Sequence, residues 1–293
     1  MAQFVFSAFA DEAGASLEEQ IKALRENGIR FIEPRNIGDK SIMDFTDEEL
    51  LEIKKQLDEN GIKVGSLGSP IGKAPIDGDF DEYMLKVKRS IEIAKLLGTN
   101  YIRMFSFFVS QDELSVHKDE VIRRLREMVK AAEAEGVTLC HENESRIYGQ
   151  MPAEVKELLT EVPGLGGIFD AANYRMNDAD TIEGIEATFV NFKYIHIKDA
   201  IYSEQAIVPA GEGEGRIGEI IDIVNDKIDG QVYLTLEPHL HAFLAYKNID
   251  EHELKGRYSF NSGREAFDFA VRALENLLIK HGYRKDEEGT WKK

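Results

Sequence analysis

Glu142, Asp170, His196 and Glu237 each close a short β-rich run, and this recurrence is where the sequence first points to chemistry. Three carboxylates and one imidazole make an oxygen-rich donor set suited to one divalent metal ion, Mn2+ or Mg2+ in preference, with Co2+ and Zn2+ also compatible. The densest block of such side chains is CHENE, residues 140–144, directly behind the apolar Val137-Thr138-Leu139. Strand alternation puts Thr138, Cys140 and Glu142 on one face and Val137 and Leu139 on the other. In the same way Tyr233, Thr235 and Glu237 lie opposite Val232, Leu234 and Leu236. Any one of the four alone reads as the hydrated end of a strand. Four at the equivalent place on four successive strands read as a single site.

They can meet only if the runs that carry them lie side by side, so the rest of the chain decides the matter. Short β-rich runs alternate with amphipathic helical stretches from end to end, which predicts parallel β/α units. FVFSAF (4–9), RFIEPR (30–35), IKVGSL (62–67) and NYIRMFSFF (100–108) are read as the first four strands. VTLCHENE, LGGIFDAAN (165–173), KYIHIKDA (193–200) and QVYLTLEPH (231–239) complete a set of eight, each with a helical partner. The pattern predicts a single α/β domain over residues 1–293, a (β/α)8 TIM barrel, with a polar loop over 240–263, a closing helix and a solvated tail over 281–293. An open doubly wound sheet fits less well. No GxGxxG follows the first strand, and polar residues end nearly every strand instead of gathering at one switch point.

In a barrel the loops after the strands form one mouth, so other residues there become candidates. Lys73, Arg103 and Lys198 lie at or just after strand ends, where cations can hold sugar hydroxyls, a phosphate or an acid group. His141 and His239 adjoin proposed ligands and are expected to bind substrate or support the site. Glu33 and Arg35, two apart at the end of the second strand, are expected to pair with each other in a structural role. Cys140 reads as a small buried hydrophobe rather than a nucleophile. GEGEG (211–215) lacks the Lys-Ser/Thr of a P-loop and carries two glutamates, so it reads as a tight loop beside the pocket.

On SPIGK (69–73), IRMFSFF (102–108), HENE (141–144), FDAANY (169–174), YIHIKDA (194–200), PAGEGEG (209–215) and LEPHL (236–240), the chain resembles the xylose isomerase-like TIM barrel superfamily of sugar phosphate isomerases and epimerases. The resemblance implies that Glu142, Asp170, His196 and Glu237 are the metal ligands. It also implies that Glu142 and Glu237 are catalytic, moving a carbon-bound proton by way of a metal-stabilised enediolate. Asn173 stands where relatives often have histidine and is expected to contact substrate. An inosose-type dehydratase on the same metal site is the nearest alternative reaction. A non-catalytic sugar-binding barrel is the alternative of another class, and it leaves two opposed carboxylates around a metal without a purpose.

Composition narrows the partners. With 36 Lys and Arg against 54 Asp and Glu, a net charge of −18, the chain repels polyanions and anionic surfaces, so neither nucleic acid nor a membrane is expected. That charge, together with Asn173, argues against the endonuclease IV-type chemistry that the same resemblance includes. The start MAQFVFSAFADEAG lacks a basic region before its apolar stretch and is not read as a signal peptide. A single cysteine excludes an internal disulfide and leads to the expectation of a cytoplasmic protein. The expected partner is a small carbohydrate; a homodimer is compatible, since related barrels often pair.

Overall fold

A computed structural model describes residues 1–242 and 258–293. Eight parallel strands form its centre: β1 (Ala2–Ala8), β2 (Phe31–Ile32), β3 (Lys63–Val64), β4 (Tyr101–Met104), β5 (Thr138–Glu142), β6 (Gly166–Asp170), β7 (Phe192–Ile197) and β8 (Gly230–Leu236). From β4 to β8 each pairs in parallel with the next, and β8 pairs with β1 from Ala2↔Gly230 to Ala8↔Leu236. The ring closes through thinner joints. Glu33 donates its N–H to Ala8 O at 2.9 Å, Ile32 aligns with Val64, and Leu67 bridges to Ile102. The expected (β/α)8 barrel is therefore the architecture found.

β2 and β3 are shorter than the runs that announced them, for a local reason in the case of β2. Pro34 has no N–H to give to a ladder, so pairing stops before it and the chain turns toward the mouth with Glu33 and Arg35. Outside the barrel the helices begin where sequence chemistry starts them. Ser16 with Glu19 and Thr46 with Glu49 form capping boxes for Leu17–Glu26 and Asp47–Glu59, and Asp79 caps Phe80–Leu97. The closing helix Gly263–Lys280 buries Phe267, Val271, Leu274 and Leu278. Of the polar loop expected over 240–263, residues 243–257 lie outside the described part.

Two cores result. Leu, Ile, Val and Phe side chains fill the space between helices and barrel, whereas Cys140, Ile168 and Tyr194, with Tyr101 and Tyr233 against them, fill the barrel interior. This inner layer is the floor under Glu142 and Glu237, as strand parity requires.

The C-terminal tail departs from expectation. Arg284–Lys285 and Trp291–Lys292 form a hairpin, and Trp291 pairs antiparallel with Phe4 of β1. Trp291 is 3% exposed and stacks on Phe6 with centroids 5.8 Å apart; Tyr283, also buried, meets Phe4 edge-on at 5.5 Å. The cause lies in β2, which reaches only the upper end of β1 and leaves the edge at Phe4 open. The tail covers that edge.

Candidate metal centre

Glu142, Asp170, His196 and Glu237 converge at the C-terminal mouth, with one donor atom from each lying within 4.8 Å of the others. Register brings them there. Asp170 aligns with His196 across β6 and β7, Thr235 aligns with His196 across β7 and β8, and Glu237 follows two residues later. All four are buried.

The two glutamates share two neighbours. His196 Nδ1 lies 2.8 Å from Glu142 Oε1 and 3.6 Å from Glu237 Oε2; Arg103 Nη1 lies 3.3 Å from Glu142 Oε2 and 3.8 Å from Glu237 Oε1. Lys198 Nζ sits 3.2 Å from Asp170 Oδ2 and 3.5 Å from Glu237 Oε2. The mouth thus alternates anions and cations.

Burial would raise every carboxyl here, and the neighbours decide which ones escape. For Glu142, His196 and Arg103 outweigh desolvation and hold the group below its ordinary range. Glu237 is likewise held down against burial, by Lys198 and His239. Asp170 goes the other way: burial lifts it, Lys198 opposes this, and Glu142 and Glu237 add repulsion. The His196 ring loses solvation, but Glu142 and then Glu33 push it up to about 10.

The donor set fits a divalent cation on two observations. Asp170 Oδ2 and Glu237 Oε2 are buried without a hydrogen bond. Moreover, burial lifts Asp170 and Glu12 above the ordinary carboxyl range, the mark of acids crowded into one dry site where a divalent cation would favour the ionised form.

Supporting contacts fix these side chains. Asn143 clamps Asp170 through its backbone, Nδ2 donating to Asp170 O and Oδ1 accepting from Asp170 N, both at 2.9 Å. Asn173 donates its N–H to Asp170 Oδ1 at 2.8 Å, and its Nδ2 reaches Asn143 O at 2.8 Å and Glu142 Oε1 at 3.5 Å. His239, buried and with φ +45°, accepts no role far from the site: its N–H donates to Glu12 Oε2 at 2.7 Å, and its Nε2 lies 3.5 Å from Glu237 Oε1. Lys73 stands at the rim, 2.9 Å from Glu144 Oε2, with its ammonium over Phe105.

His141 is not brought to this group. It alternates to the outer face of β5, where Nε2 meets Ser106 Oγ at 2.9 Å and the ring lies against Gly149. Glu33 and Arg35 do not pair as expected. Glu33 accepts from Tyr194 Oη at 3.0 Å and faces His196 Nε2 at 3.3 Å. Arg35 forks onto Asp11, with Nε–Oδ2 and Nη2–Oδ1 both 3.0 Å, and gives Nη1 to Glu237 Oε1 at 2.8 Å. Asp11 and Glu12, which sequence reasoning does not single out, follow the first strand at the same level as the candidate donors on the others. The strand-end rule that found Glu142 would have found them.

The HIKD and GEGEG stretches prove to be one device. Asp199 accepts from the N–H groups of Ala200, Gly211, Gly213 and Gly215 at 2.8 to 3.1 Å. A Cβ on Gly213 or Gly215 would fall 2.3 or 2.5 Å from Asp199 Oδ1, which is why the loop needs glycine. The loop is a nest for a carboxylate of this chain, and it anchors the residue next to Lys198.

A family model described as xylose isomerase-like TIM barrel matches residues 21–253. No curated protein sequence matches the chain. Among solved structures, the probable 3-DHS dehydratase AsbF of petrobactin synthesis from Bacillus anthracis superposes with TM-score 0.70 at 17% identity, over 93% of this chain and 99% of that one. D-psicose 3-epimerase with D-tagatose from Clostridium cellulolyticum H10 gives 0.70 at 16%, over 94% and 98%. The IolI protein with a bound zinc atom gives 0.71 at 16%, over 95% and 99%. At these identities the superpositions show the fold, and the family match shows membership: the chain belongs to the xylose isomerase-like TIM barrel family.

Proposed function

We propose that this member of the xylose isomerase-like TIM barrel family is a divalent-metal-dependent isomerase or epimerase of a small sugar or sugar phosphate. The observation that carries the reading is the pair Glu142 and Glu237, each facing His196 Nδ1 on one side and Arg103 Nη1 on the other within one buried donor set. Glu142, Asp170, His196 and Glu237 would hold the ion, with Mn2+ or Mg2+ favoured by three carboxylates and Zn2+ supported by the zinc named for the IolI structure. When bound, it supplies Lewis-acid polarisation of neighbouring carbonyl and hydroxyl oxygens.

The remaining work falls to side chains. Glu142 and Glu237 are both held in the anionic form, so either can take a proton from a carbon next to a carbonyl at neutral pH. The glutamate that has received the proton can return it to the same or the adjacent carbon; for its counterpart to deliver one instead, that carboxylate first takes a proton from solvent while the first glutamate releases its own. Arg103 and Lys198 lie between the carboxylates and are placed to donate to substrate oxygens, stabilising negative charge as it develops. Asn173 holds Glu142 and Asp170 in place, while Lys73 and His239 border the space that a polyhydroxylated substrate would enter. The likeness in fold to an L-ribulose 3-epimerase and a D-psicose 3-epimerase supports a ketose as substrate.

The test is exchange of substrate C–H protons with deuterated solvent, followed by NMR across a panel of ketoses and their phosphates with Mn2+ or Mg2+. Glu142→Gln and Glu237→Gln are each expected to slow it by about 10²- to 10⁴-fold. Exchange at an undiminished rate in both variants would sink the two-glutamate reading, and a product lighter by one water would replace isomerisation with dehydration.

A further inference from the structure

Glu33 belongs to none of the donor atoms gathered above, yet it is buried completely, directly behind one of them. Its backbone is pinned to β1 by the N–H bond to Ala8 O. One carboxylate oxygen accepts from Tyr194 Oη at 3.0 Å, and Tyr194 Oη lies 2.8 Å from Ser66 Oγ. The other oxygen faces His196 Nε2 at 3.3 Å. The imidazole between Glu33 and the donor set is held edge-on by Phe9 at 5.1 Å and tilted against Tyr194 at 5.4 Å, so the ring has little freedom to turn.

This order of groups is that of a carboxylate–histidine–metal relay. A histidine can give a metal only one nitrogen, as a lone pair, and its proton must then sit on the other. An acceptor fixed at the far nitrogen selects that tautomer, holds the ring plane and makes the near nitrogen more basic. Here the near nitrogen is Nδ1, which looks toward Glu142, and the far one is Nε2, which looks toward Glu33.

We infer that Glu33 is the positioning residue for His196: it accepts the Nε2 proton and thereby commits Nδ1 to a divalent cation. The inference rests on the metal centre proposed above and deepens it, since it assigns a role to a side chain just beyond β2 that lies outside the proposed ligand set. It also explains why a carboxylate is tolerated at full burial beside the barrel floor. A carboxylate serving only to fill space there would cost more than an apolar side chain of its size.

The experiment is a calorimetric titration of the full chain with Zn2+ and with Mn2+, comparing wild type, Glu33→Ala, Glu33→Gln and Tyr194→Phe, with circular dichroism to show that each is folded. Glu33→Ala should bind about 10- to 100-fold more weakly. Glu33→Gln, which keeps an acceptor oxygen, should recover part of that loss, and Tyr194→Phe should bind as wild type does. A folded Glu33→Ala with wild-type affinity overturns the assignment. Where Glu33→Ala fails to fold, 15N-histidine spectra of the zinc-loaded wild-type protein decide: the proton is expected on His196 Nε2, and a proton on Nδ1 overturns the assignment. A wild-type chain that takes up neither ion overturns the metal centre and this inference together, whereas wild-type binding with an unaffected Glu33→Ala overturns this inference alone.

Discussion

Arg35, just beyond β2, gives Nη1 to Glu237 Oε1, just beyond β8, at 2.8 Å, at a sequence separation of 202. The same guanidinium holds Asp11 with a two-pronged contact and stands 3.5 Å from Glu12. Arg35 therefore faces three buried acids at once, and one of them is a proposed ligand. Replacing it with Ala leaves these carboxylates buried with too little positive charge. A destabilisation of about 3–5 kcal/mol is expected by urea denaturation. Arg35→Lys should fall between, because an ammonium cannot reproduce the planar fork. A loss under 1 kcal/mol in the Ala variant would mean that the acids find other partners.

Chelation separates the roles of ion and fold. Without metal, His196, Arg103 and Lys198 already stand among the carboxylates, so the chain stripped with EDTA should remain folded. Adding Mn2+ at about 100 times its dissociation constant should then raise stability by about 2.7 kcal/mol, read as a shift in the thermal midpoint. Asp170→Asn removes one anionic donor and should shrink the shift. An equal shift in both proteins would place the ion elsewhere.

The paired glutamates predict a specific size of effect. A positioned acid or base contributes about 10²- to 10⁴-fold to proton transfer, so Glu142→Gln and Glu237→Gln should each slow solvent exchange by that range. Because both also hold the ion, the comparison belongs at saturating metal, where the loss should persist in the turnover rate.

The tail gives a prediction far from the mouth. Trp291, the sole tryptophan, packs on Phe6, and Asp222 ties the same end of the chain through Lys293 at 2.8 Å, His281 at 2.8 Å and Tyr283 at 3.0 Å. Trp291→Ala should cost about 3–5 kcal/mol, in contrast to the near-zero effect of changing a solvated tail. Asp222 resists burial with help from Lys293, His281 and Tyr283, which hold its carboxyl below the ordinary value of 3.8. A lowered folded-state pKa means that this contribution is complete above pH ~4 and fades as pH falls through the lower value. Because Asp222 is partly exposed, the tie is worth about 1 kcal/mol or less. Trp291 emission should shift to the red as pH drops below ~4, and Asp222→Asn should show part of that shift already at pH 7.

Much of the site was legible because strand periodicity is local. A two-residue repeat put Cys140 beneath Glu142 and Thr235 beneath Glu237, and the barrel confirms the order with Cys140 in its inner layer. The same repeat placed His141 on the outer face, and proximity in sequence to a proposed ligand did not carry its side chain to the mouth. Spacing along a strand suggests that Glu33 and Arg35 pair, but the strand stops at Ile32, and Glu33 meets His196 of β7 while Arg35 meets Glu237 just beyond β8.

What the sequence determined by itself was the alternation of strands and helices, the face each strand residue takes, and which strand ends carry ligand-type side chains. All of these follow from covalent geometry and the burial of apolar stripes over a few residues. Only the tertiary structure decided which charges meet. Arg35 with Glu237, Glu33 with His196 and Trp291 with Phe4 depend on how the ring of strands closes, and a contact across more than a hundred residues leaves no periodic trace in the chain.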